Sequence, residues 1–199
     1  MTAHAARRQG RPPATSRDEV ARVALELFVR RGFDETTLDD VAAAAGIGRR
    51  TIFRYFASKN DIVWGAFDEH LEGLRADLAA VDPRAPLMDV LRGAIVRFND
   101  YGDADLPELR NRMGLITSVP ALQGHAMLRY AAWCQVVAQF VAGRLRLRED
   151  DHVPQVVANA CLGTAMATYR HWIDHPDRDL LADLDRAFRL LAAGFDDGA

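Results

Sequence analysis

Cysteine, lysine and aromatic residues are scarce in this 199-residue chain, which has two cysteines, one lysine and 8% aromatic residues. Cys134 and Cys161 cannot supply the dense disulfide framework that holds small secreted domains together, and no leader-like apolar segment opens the sequence, so a reducing cytoplasmic setting is expected. Every long apolar stretch is interrupted by Arg, Asp or Gln, which excludes a membrane span and a membrane partner. Catalytic signatures are absent too. There is no Gly-x-Ser-x-Gly elbow, no phosphate-cradling glycine loop and no cysteine pair at metal spacing. His171 and His175 stand four apart but lack the glutamate that a zinc protease places after its first histidine. Glu149-x-x-His152 falls in a loop without the second copy that a di-metal bundle needs. No enzyme, metal or cofactor is expected.

Apolar residues make up 49% of the chain, enough for a substantial core. The net charge of -3 conceals a division, because residues 1–60 carry 11 basic and 7 acidic side chains and the remainder 14 and 21. A positive end on an acidic body can meet a polyanion through that end alone.

Residues 1–15, with Arg7, Arg8 and Arg11 and no apolar periodicity, read as a flexible basic arm. Apolar spacing of three and four then recurs to the end of the chain and never alternates over a strand length, so the fold is expected to be all-α. Ser16 and Glu19 form a capping pair for a first helix ending at Gly32, and Thr37 and Asp40 one for a short second helix ending at Gly46. Ile47 and Gly48 turn the chain into a third, basic helix from Arg49 to Phe56. A third pair, Ser58 and Asp61, opens a helix that the spacing of Trp64, Phe67, Leu71, Leu74 and Leu78 carries unbroken to a stop before Pro83. Five further helices are predicted, over about 86–98, 107–117, 120–145, 153–173 and 179–195.

Two helices joined through a glycine turn, the second short and basic, form the helix-turn-helix that offers a recognition helix to the DNA major groove. Arg49 and Arg50 begin that helix, where a guanidinium can make paired hydrogen bonds to O6 and N7 of guanine, discriminating by about 1–3 kcal/mol per good pair. Thr51 is short enough to meet a phosphate or a thymine methyl, and Phe53 offers apolar contact only. Gly48 and Arg54 complete the expected DNA face. The basic arm suits a neighbouring minor groove.

The run Thr36-Thr37-Leu38-Asp39-Asp40-Val41-Ala42, then Ala45-Gly46-Ile47-Gly48, Thr51-Ile52-Phe53-Arg54-Tyr55-Phe56 and Ser58-Lys59-Asn60-Asp61, resembles the N-terminal signature of TetR-family repressors over residues 16–64. Arg49-Arg50-Thr51, Trp64-Gly65, Phe67-Asp68 and Val119-Pro120-Ala121-Leu122-Gln123 are further similar to the TetR-like regulators encoded with the mycofactocin redox-cofactor system. The resemblance implies a ligand-responsive repressor that binds operator DNA as a homodimer. It also implies that Tyr55 and Lys59 hold phosphates, joined by Thr37 from the start of the second helix.

The expected organisation is an arm (1–15), a three-helix DNA-binding domain (16–62) and a helical effector-binding and dimerisation domain (63–199). Half-sites on DNA lie about 34–36 Å apart, so a dimer is required. Leu180, Leu184, Ala187, Phe188, Leu191 and Phe195 form an apolar stripe on the last helix, and Ala160, Thr164 and Ala167 a small-residue face on the one before. Across a two-fold axis these would build a four-helix bundle, as the resemblance implies. Packing within one subunit is the alternative.

An adaptable effector cavity is expected from Met113, Ile116, Met127 and Tyr130, with Trp133, Val137, Phe140, Cys161 and Met166. Arg112, Arg129 and Asn159 are candidate polar anchors at its mouth for a carboxylate or phosphate on an apolar tail, such as a long-chain fatty acyl-coenzyme A. Plain core packing is the competing reading of the same stripe. A protein-only helical adaptor would keep the dimer and leave the basic helix without purpose.

Overall fold

The computed structural model describes residues 16–194. The arm residues Arg7, Arg8 and Arg11, and Phe195 of the expected dimer stripe, lie outside the described residues. Ten helices and no strand occur among the described residues. They are α1 (Arg17–Arg31), α2 (Leu38–Ala44), α3 (Arg49–Tyr55), α4 (Lys59–Trp64), α5 (Phe67–Ala79), α6 (Leu87–Phe98), α7 (Leu106–Ser118), α8 (Pro120–Leu145), α9 (His152–Asp174) and α10 (Leu180–Ala193). None of them is long and apolar enough to cross a membrane.

Local chemistry accounts for the head. The Ser16 side chain accepts from the Glu19 amide and starts α1. Thr37 and Asp40 satisfy each other's free amides at the start of α2, a complete capping box. Gly46 takes the left-handed conformation (φ 65°) that turns α2 towards α3. Val20, Ala24 and Phe28 of α1, Val41 of α2 and Ile52 of α3 share one buried core, closed by an edge-to-face contact of Phe28 on Phe33 at 5.0 Å.

The predicted fourth helix divides in two. Gly65 adopts φ 53° and ψ -125°, which ends α4 and sends α5 in a new direction. Two arginines hold this corner. Arg17 of α1 donates to the Gly65 carbonyl at 3.0 Å, and the Arg112 guanidinium of α7 occupies the space into which a Cβ would project.

In the body, α8 and α9 pack together, α10 lies across α9 and α6, and α7 bridges α8 to the head. Leu180, Leu184 and Phe188 are buried by α6 and α9 of their own subunit, which corrects the expectation that they meet a second copy. A side chain without exposed surface has none to give a partner. Ala160, Thr164, Ala187 and Leu191 remain partly exposed and Ala167 is exposed.

Arginines also close helix ends. Arg110 stacks 3.8 Å over the Trp172 ring and donates to the carbonyls of Trp172, Ile173 and Pro176, covering the exit of α9. At the start of α10, Arg178 grips the buried Asp183 carboxylate through two hydrogen bonds, and these hold Asp183 below the ordinary carboxylate range. A depressed folded pKa stabilises the fold at pH values above the unfolded one, and that contribution vanishes as acid protonates the folded carboxylate. Asp183→Asn is therefore expected to lower the melting temperature at pH 7, by a difference that shrinks as the pH falls below the ordinary carboxylate range and through the depressed pKa of the folded state. Gly65→Ala should cost about 1–3 kcal/mol, because only glycine adopts this corner without strain, giving a melting point lower by roughly 2–10 °C.

Candidate DNA-contact face and effector cavity

The basic helix stands out from the head. Ile52 and Phe56 anchor α3 in the core, leaving Arg49, Arg50, Phe53 and Arg54 exposed. Phe53 is 48% exposed, so it is not a core residue of this subunit. Arg50 has no ion-pair partner among the described residues. Arg49 pairs with Asp39 of α2 at 3.0 Å, both side chains largely exposed, and such a pair is worth only about 0–1 kcal/mol. An incoming acceptor can displace it. Arg54 leans over the Tyr55 ring at 5.1 Å, and Tyr55 and Thr51 are half-buried beside it. A Cβ on Gly48 would meet nothing within 4 Å, so the turn leaves space for a close approach.

Two of the residues expected at phosphates are engaged in holding the head together. Thr37 exchanges hydrogen bonds with Asp40, whose pKa is lowered chiefly by the Thr37 hydroxyl. Lys59 reaches back from α4 to donate to the carbonyls of Phe33 (2.7 Å) and Thr36 (3.1 Å), with its ammonium 4.2 Å from the centre of the Phe33 ring. Two of its three N–H groups are thus occupied.

Within the body lies an apolar cavity of about 70 Å³. Arg112, Met113, Ile116, Tyr130, Trp133 and Met166, all expected there, line it. The remaining expected residues lie elsewhere. Val137 and Cys161 are buried in the packing of α8 on α9, and burial raises the Cys161 thiol to about 12. Phe140 packs beneath the Arg144 guanidinium at 5.7 Å. Met127 and Asn159 border a separate open groove of about 410 Å³ between α8 and α9. Arg129 pairs with Asp68 and Asp61 and lies 5.7 Å from the centre of the Phe67 ring without itself lining the cavity.

Residues that the spacing did not single out complete the wall. Trp64, Phe67, Phe98 and Tyr101 come from the ends of α4 to α6, and Leu109, Leu162 and Ala165 fill gaps between them. Asn99 and Tyr169 add a buried polar pair, Tyr169 donating to the Asn99 amide oxygen while Asn99 donates to the Ile95 carbonyl at 2.7 Å. Burial keeps the Tyr101, Tyr130 and Tyr169 hydroxyls protonated by raising their pKa. Of the wall aromatics named above, only Phe98 and Tyr101 stood at a predicted helix end, where clustered aromatics were the available signal; Trp64 and Phe67 lay inside what the spacing made one unbroken helix. Through Tyr101, Leu109 and Arg112 the cavity adjoins an open cleft of about 620 Å³ between head and body, bordered by Asp18 and Glu19 of α1, Gly65 and Glu108. Drug-sized ligands occupy roughly 300–1,000 Å³, so a long chain requires the inner cavity to widen. Among the described residues no three His, Cys, Asp or Glu side chains converge to hold a metal; His171 and His175 simply stack at 4.1 Å.

Comparison with known proteins accords with this architecture. Residues 20–64 match the bacterial regulatory proteins of the tetR family, and residues 85–196 match the MftR C-terminal domain. A Mycobacterium tuberculosis protein that carries the name mycofactocin biosynthesis transcriptional regulator MftR is 42% identical over 189 residues, 95% of this chain and 96% of its own. The chain belongs to the TetR family. Within it, the second match places the chain with regulators that carry the MftR C-terminal domain. Among solved structures, Thermus thermophilus FadR, a TetR-family repressor in complex with lauroyl-CoA, is 25% identical with a TM-score of 0.57, covering 92% of this chain and 98% of that one. Bacillus subtilis FadR in complex with stearoyl-CoA shares the fold, with a TM-score of 0.64 at 17% identity over 88% of this chain and 97% of that one.

The Lys59 contacts generate a stability prediction independent of DNA. Lys59→Met, which keeps the apolar stem and removes two hydrogen bonds from a charged donor, should cost about 1.5–3 kcal/mol, visible in urea denaturation without any nucleic acid present.

Proposed function

We propose that this TetR-family regulator binds operator DNA as a homodimer and is released from it by an amphipathic small molecule, so that it acts as a repressor. The observation that carries the reading is the exposed basic helix α3, anchored in the head core by Ile52 and Phe56 and presenting Arg50 without an ion-pair partner among the described residues. Arg49 and Arg50 read guanine edges, Arg49 exchanging Asp39 for the base. Thr51 and Phe53 make short and apolar contacts, and Thr37, Arg54, Tyr55 and the third N–H of Lys59 meet the phosphate backbone beside the open turn at Gly48. Residues 16–62 form the DNA-binding domain and 63–199 the effector-binding and dimerisation domain. The exposed face of α9, with Val156, Ala160, Gly163, Thr164 and Ala167 at helical spacing, together with Leu190 and Leu191 of α10, meets its equivalent in a second copy.

The effector enters the cavity beneath Trp64, widens it and alters the packing around Gly65, which shifts the head relative to the body. A fatty acyl-coenzyme A suits this reading, supported by the apolar lining and by the lauroyl-CoA and stearoyl-CoA complexes of the two FadR proteins. A coupling of about 1–3 kcal/mol between the sites changes operator affinity 5–150-fold.

Fluorescence anisotropy with duplexes from the upstream region of the coding sequence tests the DNA reading. Arg50→Ala should weaken specific binding by about 5–150-fold and leave random DNA little changed. Equal losses on both duplexes would remove Arg50 from base reading. Titration calorimetry with lauroyl-CoA should give saturable binding and, in parallel, loss of the specific complex; saturable binding at no chain length would reject the acyl-CoA effector.

A further inference from the structure

Beside the cavity, two buried polar atoms have no hydrogen-bond partner among the described residues, the indole Nε1 of the wall residue Trp64 and the Nδ1 of His125, whose ring neighbours that of Trp64. Both atoms are buried, Trp64 as a whole is only 5% exposed, and the two rings stand 6.3 Å apart. Trp64 belongs to the cavity wall, and the wall residue Tyr130 packs edge-on against it at 6.0 Å. A buried donor or acceptor is costly to leave unpaired, so two such atoms on neighbouring rings call for a group that satisfies both.

Their chemistry specifies that group. An indole N–H only donates. His125 turns Nε2 towards the Asp61 carboxylate at 3.5 Å, so in the neutral imidazole the proton sits on Nε2 and Nδ1 is an acceptor. The bridging group must therefore accept from Trp64 and donate to His125. A hydroxyl does both through one oxygen, with two bonds of about 2.8–3.0 Å. A carbonyl or ether oxygen satisfies Trp64 only and leaves the histidine unpaired. Phe67 and Met166 and the rings of Tyr130 and Trp133, also in the wall, offer apolar surface to the rest of such a ligand.

We propose that Trp64 and His125 form a hydroxyl-recognition site at the edge of the cavity, which selects apolar molecules bearing an alcohol group. The inference rests on the effector-cavity reading above and adds the polar specificity which that reading lacks. The site also has an outlet to the head. Asp61, on the far side of His125, accepts the Ser58 hydroxyl at 2.7 Å and lies 3.6 Å from Arg129. A bound hydroxyl thus completes a continuous polar chain from the cavity to the cap of α4. A water molecule satisfies the same pair, and an alcohol binds by taking its place with equivalent bonds.

The test uses the full-length protein and three probes of equal heavy-atom count, 1-octanol, 2-octanone and 1-methoxyheptane, titrated by calorimetry. The expected result is octanol binding about tenfold tighter than the other two. In His125→Leu, which removes the acceptor at a partly exposed position, the three should converge, and Trp64→Phe should converge them likewise if it folds. Equal affinities for all three in the parent would overturn the hydroxyl site while leaving the apolar cavity intact. Preference for octanone would overturn it by showing two donors at the site. Absence of binding by any probe would overturn both this site and the cavity as a receptor for small amphiphiles.

Discussion

The arrangement depends on one corner of the backbone, where α4 ends at Gly65. Ile62, Val63 and Trp64 are buried between head and body, and the next residue turns the chain through a conformation that only glycine holds without strain. The corner is gripped from both sides, by Arg17 of the head at its carbonyl and by Arg112 of the body against its α-carbon. Arg112 belongs at once to the wall of the inner cavity and to the cleft beneath α1. Any rearrangement of the cavity that moves this guanidinium changes what packs against the hinge. That is a physical connection between the inner cavity and the head, made of one ion-paired side chain and one glycine.

The same economy recurs across the molecule. Long cationic side chains reach across the fold to satisfy carbonyls of loops and helix ends: Lys59 on the loop between α1 and α2, Arg110 on the exit of α9, Arg144 on the loop after α5. Each covers an aromatic ring with its charged end as well. In the head, Lys59 and Arg17 are committed to structure, while the arginines of α3 are held only by weak surface contacts.

Sequence patterns made the head legible almost residue by residue, because its caps, turn and core spacing are local features. Thr37 with Asp40, Gly46, Ile52 and Phe56 stand where their periodicity places them. The body was legible as helices and less so as a site. Trp64, Phe67, Leu71, Leu74 and Leu78 keep one helical rhythm across the corner, and a lone glycine inside such a rhythm costs only about 1 kcal/mol, so nothing local marked the break. What locks it is contact with residues about fifty positions away in either direction, Arg17 and Arg112. Likewise the stripe of Leu180, Leu184 and Phe188 announced burial without saying against what, and α6 and α9 of the same chain supply the cover. The cavity drew its wall from helix ends brought together by that corner, which is why Phe98, Tyr101 and Asn99 join Trp133 and Met166 although no repeat connects them.

The hinge at Gly65 is most directly tested by the distance between head and body. Nitroxide labels at Ala43→Cys on α2 and Ala182→Cys on α10, both exposed positions, report it by double electron-electron resonance. The natural thiols Cys134 and Cys161 are buried, with pKa values raised by that burial, and stay unlabelled. Saturation with a ligand whose binding calorimetry has established should move the distance distribution as a whole, and Gly65→Ala should reduce that shift. An identical distribution with and without bound ligand would contradict the account.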